Sequence, residues 1–334
     1  MTSTQTGTRT RVALTMGDPS GIGPELAVKL LADPANLAAA DVMVLASAAE
    51  IGAAATEASV TVPLADVPDA SHAAAVGSAL ADRPVERGVV SRAAGERVRS
   101  DLLAALAMYQ AGEVDAIMFT PLNKTALHLA GMDEEDELRW FAKTLGYEGT
   151  TSELNFVPGL TTSRVTSHIP LKDVASRISA RSVLEAIRLL HGVVKDSGVA
   201  APRLAVCALN PHAGENGQFG REEIDHIAPG VALARTEGID AGGPFPSDTI
   251  FIKARDGHYD GVVTMYHDQG QIAMKLMGFD QGVTVQGGLP VPIATPAHGT
   301  AYEIVGKGVA HTGPTQRAFD LTVALGARNA ATRG

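Results

Sequence analysis

Short apolar runs alternate with longer amphipathic patterns along most of the chain. The apolar runs end at turn residues, which predicts buried strands. These runs are RVALTM (11–16), DVMVLAS (41–47), VDAIMFTP (114–121), RVTSHIPL (164–171), RLAVCALNP (203–211), GVVTMYH (261–267) and GVTVQGG (282–288). Amphipathic helices are predicted over residues 23–33, 92–112, 136–146 and 182–198. The alternation favours an α/β fold with a largely parallel sheet, whereas residues 58–90 show no clear period.

Length and composition narrow the class of protein. A chain of 334 residues is long for one core, so we expect two domains or one large α/β unit with an added lobe. Hydrophobic residues make up 45% and aromatic residues 4%, which predicts a core of Ala, Val, Leu and Ile. The net charge of -10 argues against a nucleic-acid partner, because phosphate binding needs a basic surface.

Cysteine usage and apolar run lengths predict a cytoplasmic protein. Cys207 is the single cysteine, so no intramolecular disulfide can form, as is typical of a reducing compartment. The polar start, MTSTQTGTRT, lacks the apolar segment of a secretory signal and is predicted to be a short disordered lead. No apolar run approaches the roughly 20 residues that cross a bilayer, so no membrane partner is expected.

Three histidines stand where predicted strands end. His168, His212 and His267 each follow an apolar run and precede a turn or a Gly-rich loop. In parallel α/β sheets ligands collect at the carboxyl ends of the strands, and imidazole binds zinc, cobalt, nickel or iron. The pattern predicts a divalent cation site with a position open for a substrate oxygen. Because the spacing matches no short metal motif, each histidine is also compatible with an ordinary surface or core residue.

Seven motifs follow one another in the order known from one enzyme family. They are MGDPSGIGPE, TPLNKTALHLAG, TSHIPLKDV, LNPHAGENGQFG, PSDTIF, MYHDQG and HGTAYEIVGKG. On these motifs the chain resembles the 4-hydroxythreonine-4-phosphate dehydrogenase family of pyridoxine biosynthesis, from about Arg11 to the C-terminal helix.

The resemblance implies an α/β fold like that of isocitrate and isopropylmalate dehydrogenases. Such a fold has two domains with an inter-domain cleft and forms a homodimer with a shared active site. We accordingly expect a nucleotide-side domain over residues 1–131 and 295–334. Residues 132–294 are expected to form the domain for metal, substrate and dimerisation.

The resemblance also implies the ligands of a metal ion. His168, His212 and His267 would hold one divalent ion (Zn, Co, Mg or Mn), with His267 reaching the site from the partner subunit. Asp268 would then orient a ligand or transfer a proton.

A nucleotide loop is implied near the end of the chain. HGTAYEIVGKG resembles the loop that contacts the adenine side of the cofactor in decarboxylating dehydrogenases, which points to His298, Gly299, Thr300 and Ala301. Glycine and small residues let a backbone approach a nucleotide closely. No basic cluster for a ribose 2′-phosphate stands here, which favours NAD over NADP. Without the resemblance the stretch is compatible with a plain loop before a helix.

The family chemistry is the oxidation of a secondary alcohol β to a carboxylate, after which the β-keto acid can lose carbon dioxide. The resemblance therefore implies an NAD(P)-dependent oxidoreductase that acts on a CH–OH group of a small hydroxy acid. Lys124, Asp248 and Asp268 are candidate proton carriers in catalysis, and Lys275 matches a substrate-contacting lysine. On the residues alone, Lys124 and Lys275 are also compatible with solvated helical lysines.

The chain departs from the family pattern at the phosphate end of the substrate. Glu137, Leu138 and Arg139 stand where the family has His, Thr and Glu, and Thr284 and Ile293 stand where it has Asn and Arg. Phosphate is bound best by arginine, backbone amides and hydroxyls, so these changes predict an altered substrate end.

Several substrates remain open after these departures. They are an unphosphorylated carboxylated cis-dihydrodiol of the terephthalate type, a 4-phosphorylated threonate or erythronate, and the pyridoxine-pathway compound itself. An inactive NAD-binding relative is the alternative of another class, and the retained histidines, Lys124 and Asp248 argue against it.

Overall fold

The chain divides into two compact units, each containing six of the described strands. The computed structural model describes residues 9–333, so most of the predicted polar lead lies outside the described residues. One unit comprises Met1–Asp136 and Val291–Gly334, and the other comprises Glu137–Pro290. The boundaries expected from the sequence, after residues 131 and 294, differ from these by a few residues.

Twelve strands and twelve helices are defined in the described part of the chain. The strands are β1 (Thr10–Thr15), β2 (Ala40–Val44), β3 (Leu64–Ala65), β4 (Ala73–Ala75), β5 (Ala116–Phe119), β6 (Ser152–Val157), β7 (Leu160–Arg164), β8 (Arg203–Cys207), β9 (Asp240–Phe245), β10 (Gly261–Thr264), β11 (Val283–Gly287) and β12 (Ile293–Pro296). The helices are α1 (Gly23–Leu31), α2 (Pro34–Ala39), α3 (Ala48–Glu57), α4 (Arg92–Gln110), α5 (Lys124–Leu129), α6 (Glu137–Leu145), α7 (Val174–Arg177), α8 (Ala180–Asp196), α9 (Ala228–Thr236), α10 (Ser247–Arg255), α11 (His267–Gly278) and α12 (Gly313–Arg333).

The sheet of the first unit is parallel throughout its described pairs. Its strand order is β3-β4-β2-β1-β5-β12. Helices α4 and α12 both pack against β1, and Val12, Ala13 and Leu14 are fully buried. Continuous burial along a strand requires the unbroken apolar run from which β1 was predicted.

The sheet of the second unit combines both pairing modes. Its order is β11-β6-β7-β10-β8-β9, in which β7, β10, β8 and β9 are parallel neighbours. Strand β6 runs antiparallel to both β7 and β11. Because carboxyl ends of parallel strands meet at one edge, β7, β10 and β8 deliver the residues that follow them to the same edge.

The sequence predicted most of these elements, but one predicted strand ends earlier than expected. The α/β class, the four helices and six of the seven strands are confirmed. The run RVTSHIPL contributes only its first residue to a strand, because β7 ends at Arg164 and His168 lies in the loop beyond it. Strands β3, β4, β6, β9 and β12 were not predicted.

The core of the second unit encloses the single cysteine. Cys207 is fully buried at the end of β8 and packs with Ile250, Val262 and Met274. Burial raises the pKa of the Cys207 thiol to about 12, because a thiolate would lose its hydration. The cysteine is therefore a packing residue rather than a nucleophile.

Among the described residues, no helix is both long enough and apolar enough to cross a bilayer.

Candidate functional site

The three predicted metal-binding histidines follow three neighbouring parallel strands of the second unit. His168 comes after β7, His267 directly after β10, and His212 after β8. Strand β10 lies between the other two, with Val262 opposite Thr162 on one side and Ala205 on the other. The sheet thus brings all three chain segments to one edge.

Two of the imidazoles are close enough to share an ion. The ring centroids of His168 and His267 lie 5.5 Å apart, with an angle of 51° between the ring planes. Two imidazoles that bind one tetrahedral zinc at about 2.0–2.1 Å have centroids roughly 5 Å apart. The observed separation therefore fits a common cation with only a small adjustment.

A carboxylate already fixes the orientation of one of these rings. His267 Nδ1 lies 2.7 Å from Asp268 Oδ1. In metal sites the second ring nitrogen of a ligating histidine commonly donates to a carboxylate, which sets the tautomer and the ring direction. With Nδ1 of His267 engaged by Asp268, Nε2 is the ring nitrogen left to face a ligand.

The third histidine lies in an unusual backbone turn. Within the segment Pro211–Gly217, every residue from His212 to Asn216 has a positive φ, between 41° and 77°. A run of left-handed residues costs roughly 1–2 kcal/mol for each L-residue other than glycine. The His212 ring contacts Phe219 at a centroid distance of 6.3 Å. Such strain persists only where surrounding contacts hold it, and it is found preferentially at functional sites.

Glu223 supplies the contacts that hold this turn. Its carboxylate is buried and accepts hydrogen bonds from the backbone N–H groups of Leu209 and Asn210, at 2.8 and 2.7 Å. Asn210 Nδ2 donates to the second carboxylate oxygen at 3.0 Å. A Cβ on Gly214 would lie 2.7 Å from that oxygen. Sequence reasoning missed Glu223, because in the polar stretch GREEID it looks like an exposed helix-start residue.

The remaining predicted catalytic residues begin helices. Asp248 is exposed in the first turn of α10, and the adjacent Ser247 hydroxyl donates to the Ala208 carbonyl at 2.9 Å. In the first unit, Lys124 is the first residue of α5 and is exposed, and Asn123 caps this helix by accepting from the Ala126 N–H at 3.0 Å. Both helix starts are thus anchored locally.

The predicted substrate residues divide into buried and accessible groups. Leu138 in α6 and Ile293 in β12 are fully buried, so their side chains belong to the core of their respective units. Glu137 is buried and Arg139 is half-buried. In the second group, Lys275 is exposed on α11, and the half-buried Thr284 donates to Asn155 Oδ1 at 3.2 Å.

The loop predicted for the nucleotide packs on the first turn of its own unit. The Ile22 N–H donates to the Thr300 carbonyl at 3.0 Å, and a Cβ on Gly21 would lie 2.8 Å from Thr300 Cβ. Ala301 adopts a left-handed conformation with φ of 43°. A Cβ on Gly299 would meet no atom within 4 Å, so the backbone of this loop borders open space.

The imidazole of His298 in the same loop has one ring nitrogen without a hydrogen-bond partner among the described residues. Its Nδ1 lies 3.1 Å from the Gly299 carbonyl, and no described residue hydrogen-bonds its buried Nε2. Burial is the main cause that lowers the pKa of His298, so the neutral imidazole is favoured. An unpaired buried polar atom is costly, and a ligand that hydrogen-bonds Nε2 would remove that cost.

A buried acid beneath this loop was not predicted. Asp18 is fully buried, accepts the Ser20 N–H at 2.8 Å and accepts the Tyr302 hydroxyl at 2.6 Å. Burial raises the pKa of Asp18, and burial together with the hydrogen bond that its hydroxyl donates to Asp18 raises the pKa of Tyr302. The pair joins the GDPSG turn to the HGTAY loop, which sequence spacing alone does not reveal because 284 positions separate the two residues.

The two units offer different groups for binding a ligand. The second unit offers imidazoles and an orienting carboxylate, a donor set that suits a divalent cation of the zinc or cobalt type. The first unit offers a small-residue loop with an unpaired imidazole nitrogen, which suits a ligand held through hydrogen bonds.

Comparison with solved structures places the fold. The β-decarboxylating dehydrogenase from Thermococcus kodakarensis superimposes with a TM-score of 0.54 at 16% identity, over 97% of this chain and 87% of that one. At this identity the likeness shows the fold alone. It supports the expected resemblance to the fold of decarboxylating dehydrogenases.

Closer relatives cover nearly the whole chain. A protein from Pseudomonas aeruginosa, provisionally named 4-hydroxythreonine-4-phosphate dehydrogenase 2, is 48% identical over 96% of this chain and 98% of its own. The crystal structure of 4-hydroxythreonine-4-phosphate dehydrogenase from Klebsiella pneumoniae is 33% identical, with a TM-score of 0.82 over 96% of this chain and 99% of that one. A terephthalate 1,2-cis-dihydrodiol dehydrogenase from Burkholderia xenovorans is 31% identical, with a TM-score of 0.71 over 95% and 98% of the two chains.

A family model supports the same assignment. The model described as pyridoxal phosphate biosynthetic protein PdxA matches residues 32–322, which is most of the chain. This match and the 48% identity over nearly the full length confirm the resemblance seen in the motifs. The chain belongs to the PdxA family, whose similar members are named dehydrogenases.

Proposed function

We propose that the protein is a divalent-metal- and NAD-dependent dehydrogenase that oxidises a β-hydroxy acid and then decarboxylates it. The observation that carries this proposal is the placement of His168, His212 and His267 in the segments that follow three neighbouring parallel strands, β7, β8 and β10. The carboxylate of Asp268 on His267 Nδ1 adds the support expected of a metal ligand.

The residues of the second unit would hold the cation and manage its ligands. His168, His212 and His267 would bind it, and Asp268 would keep His267 Nε2 directed at it. A bound cation supplies Lewis acidity at the substrate hydroxyl and at the carbonyl formed from it. Three imidazoles favour zinc or cobalt over magnesium, which prefers oxygen ligands.

Two further residues are assigned to proton transfer. Asp248 is exposed in the first turn of α10, so its carboxylate is suited to accept the hydroxyl proton. Lys124 is suited to donate a proton to the carbon that loses carbon dioxide. Asp268 is engaged with His267, and we therefore assign it to orientation.

The first unit would bind the cofactor through the loop His298–Ala301. Nicotinamide supplies the acceptor for the hydride that leaves the carbinol carbon. The open space beside Gly299 and the unpaired Nε2 of His298 support a ligand at this loop. The loop sequence lacks a basic cluster, which favours NAD over NADP.

The substrate end is proposed to differ from that of 4-phosphohydroxythreonine. Leu138 and Ile293 stand at positions where the family has polar side chains at the phosphate end of the substrate. Both are fully buried in the core. Neither side chain can replace a lost phosphate contact. Lys275 is exposed, and its positive charge suits an anionic group such as the substrate carboxylate. The likeness to a terephthalate cis-dihydrodiol dehydrogenase supports an unphosphorylated, carboxylated alcohol or diol as the substrate class.

A homodimer with a shared active site completes the proposal. Helix α11, which begins at His267, carries the exposed side chains of Ile272 and Leu276, which are 62% and 84% exposed. Two large apolar side chains one turn apart on a surface helix suit burial against a second chain. A partner there would adjoin the histidine that the family resemblance assigns to the neighbouring site.

The first prediction concerns the metal. His267→Ala removes one imidazole and leaves Asp268 without its partner, so we expect metal affinity to fall at least roughly 100-fold and activity to be lost. Metal content measured after dialysis, and activity after metal is added back, check this result. His258→Ala, which changes an exposed histidine of the same unit, should leave both values unchanged. Full activity of His267→Ala would contradict the metal mechanism. A wild-type protein that binds NAD but no metal would instead favour the alternative of an inactive NAD-binding relative.

The second prediction concerns the shared site. If His267 completes the site of the partner subunit, mixing His168→Ala with His267→Ala chains should restore about a quarter of wild-type activity, because half of the random dimers are hybrids with one complete site. Each variant alone should stay inactive. Absence of any recovery after confirmed subunit exchange would show that one chain supplies both histidines, which the 5.5 Å separation within one chain also permits.

The third prediction concerns the cofactor loop. Gly299→Ala places a methyl group in the open space beside the loop, so the Kd for NAD should rise roughly tenfold or more, equivalent to about 1.4 kcal/mol. Stability should change by less than about 0.5 kcal/mol, because no protein atom lies within 4 Å of the new Cβ. Gly52→Ala in α3 has equally open surroundings and serves as the control, with NAD affinity unchanged. Unaltered NAD affinity in Gly299→Ala would place the cofactor elsewhere.

The fourth prediction concerns the substrate. NADH formation should be at least roughly 30-fold less efficient with 4-phosphohydroxythreonine than with the best unphosphorylated hydroxy acid, since losing one partner of a buried charged contact costs about 2 kcal/mol or more. A panel of carboxylated alcohols and diols, each tested with and without phosphate, measures this ratio as kcat/KM. Efficient turnover of the phosphorylated compound would refute the altered substrate end while leaving the metal and NAD proposal intact.

A further inference from the structure

One glutamine side chain connects three of the segments that carry the proposed site. Gln269 lies in the first turn of α11, and its Oε1 accepts the Met265 N–H at 2.6 Å. Its Nε2 donates to the Ala208 carbonyl and to the Ser247 hydroxyl oxygen, both at 2.8 Å. The amide thus uses its acceptor and both of its donors.

The partners of Gln269 stand directly beside the proposed functional residues. Met265 follows β10 and precedes His267 by two positions. Ala208 follows β8 on the path to His212, and Ser247 immediately precedes Asp248. A displacement of the amide would therefore shift the starting points of three functional segments at once.

The same network extends to the fourth segment through Met265. The Met265 carbonyl accepts the backbone N–H of Thr166 at 3.1 Å and its hydroxyl at 2.7 Å. Thr166 is buried and precedes His168 by two positions. The peptide unit of Met265 is consequently held on both sides, by Gln269 and by Thr166.

We infer that Gln269 is a positioning residue that keeps the three histidine segments and the Asp248 helix in one arrangement. The inference rests on the proposed metal site and names a residue that acts through others rather than on the substrate. The side chain must be an amide, because a carboxylate of the same shape would lack the donors and would face the Ala208 carbonyl oxygen. Outer residues that orient metal ligands are commonly worth 10- to 100-fold in metal affinity.

The test compares Gln269→Glu with a control of similar stability. Gln269→Glu preserves shape and removes both donors, and Gln269→Ala removes the whole connection. Val194→Ala truncates a buried side chain on α8 of the same unit and serves as the control for a general loss of stability. Zinc affinity is measured by competition with a chromophoric chelator, alongside the Tm of each protein. Amide hydrogen exchange is measured on the metal-free proteins.

Both glutamine variants should bind zinc at least tenfold more weakly than Val194→Ala at an equal loss of Tm. In the metal-free proteins they should also speed exchange in residues 209–217 and 246–249, with no matching change in Val194→Ala. Zinc affinity within twofold of the control, or unchanged exchange in these segments, would overturn the inference. If wild-type and Val194→Ala proteins fail to bind zinc, the proposed metal site is wrong, and the exchange result alone then decides whether Gln269 positions the segments.

Discussion

The parallel pairing of β7, β10 and β8 is the constraint on which the proposed site depends. Parallel strands lie about 4.8 Å apart, so residues beyond adjacent strand ends start at nearly that separation. His267 follows the middle strand and His168 a flanking one, and their rings are 5.5 Å apart. The two flanking strands are separated by about twice the strand spacing. Sharing one ion with the other two histidines would therefore require the segment that carries His212 to extend toward the middle strand.

The segment at His212 has an unusual left-handed backbone. Six consecutive residues, His212–Gly217, have positive φ, at an energetic cost that only Gly214 and Gly217 avoid. Glu223 opposes this cost by accepting two backbone N–H groups before the turn and the Asn210 amide. Strain and its compensation thus lie on the same few residues, which is a pattern typical of functional loops.

The features that the sequence predicted are those whose signal is local. Strand-end histidines are visible because an apolar run and a turn residue flank each one, and the helix α4 is visible from its period over residues 92–110. Glu223, Gln269 and the pair Asp18–Tyr302 act through partners distant in sequence, so no spacing rule finds them. Strand β6 was missed because its antiparallel pairing leaves it an alternating, partly polar pattern instead of an apolar run.

The buried positions of Leu138 and Ile293 change how substrate specificity is to be argued. A residue at a family position for phosphate contact contributes to binding only if its side chain is accessible, and these two side chains are in hydrophobic cores. The substitution Ile293→Arg would bury a charge in β12 at a cost of several kcal/mol. This substitution alone therefore cannot restore the contact to a substrate phosphate. Among the proposed substrate residues, exposed Lys275 therefore has a side chain at the surface that these two lack.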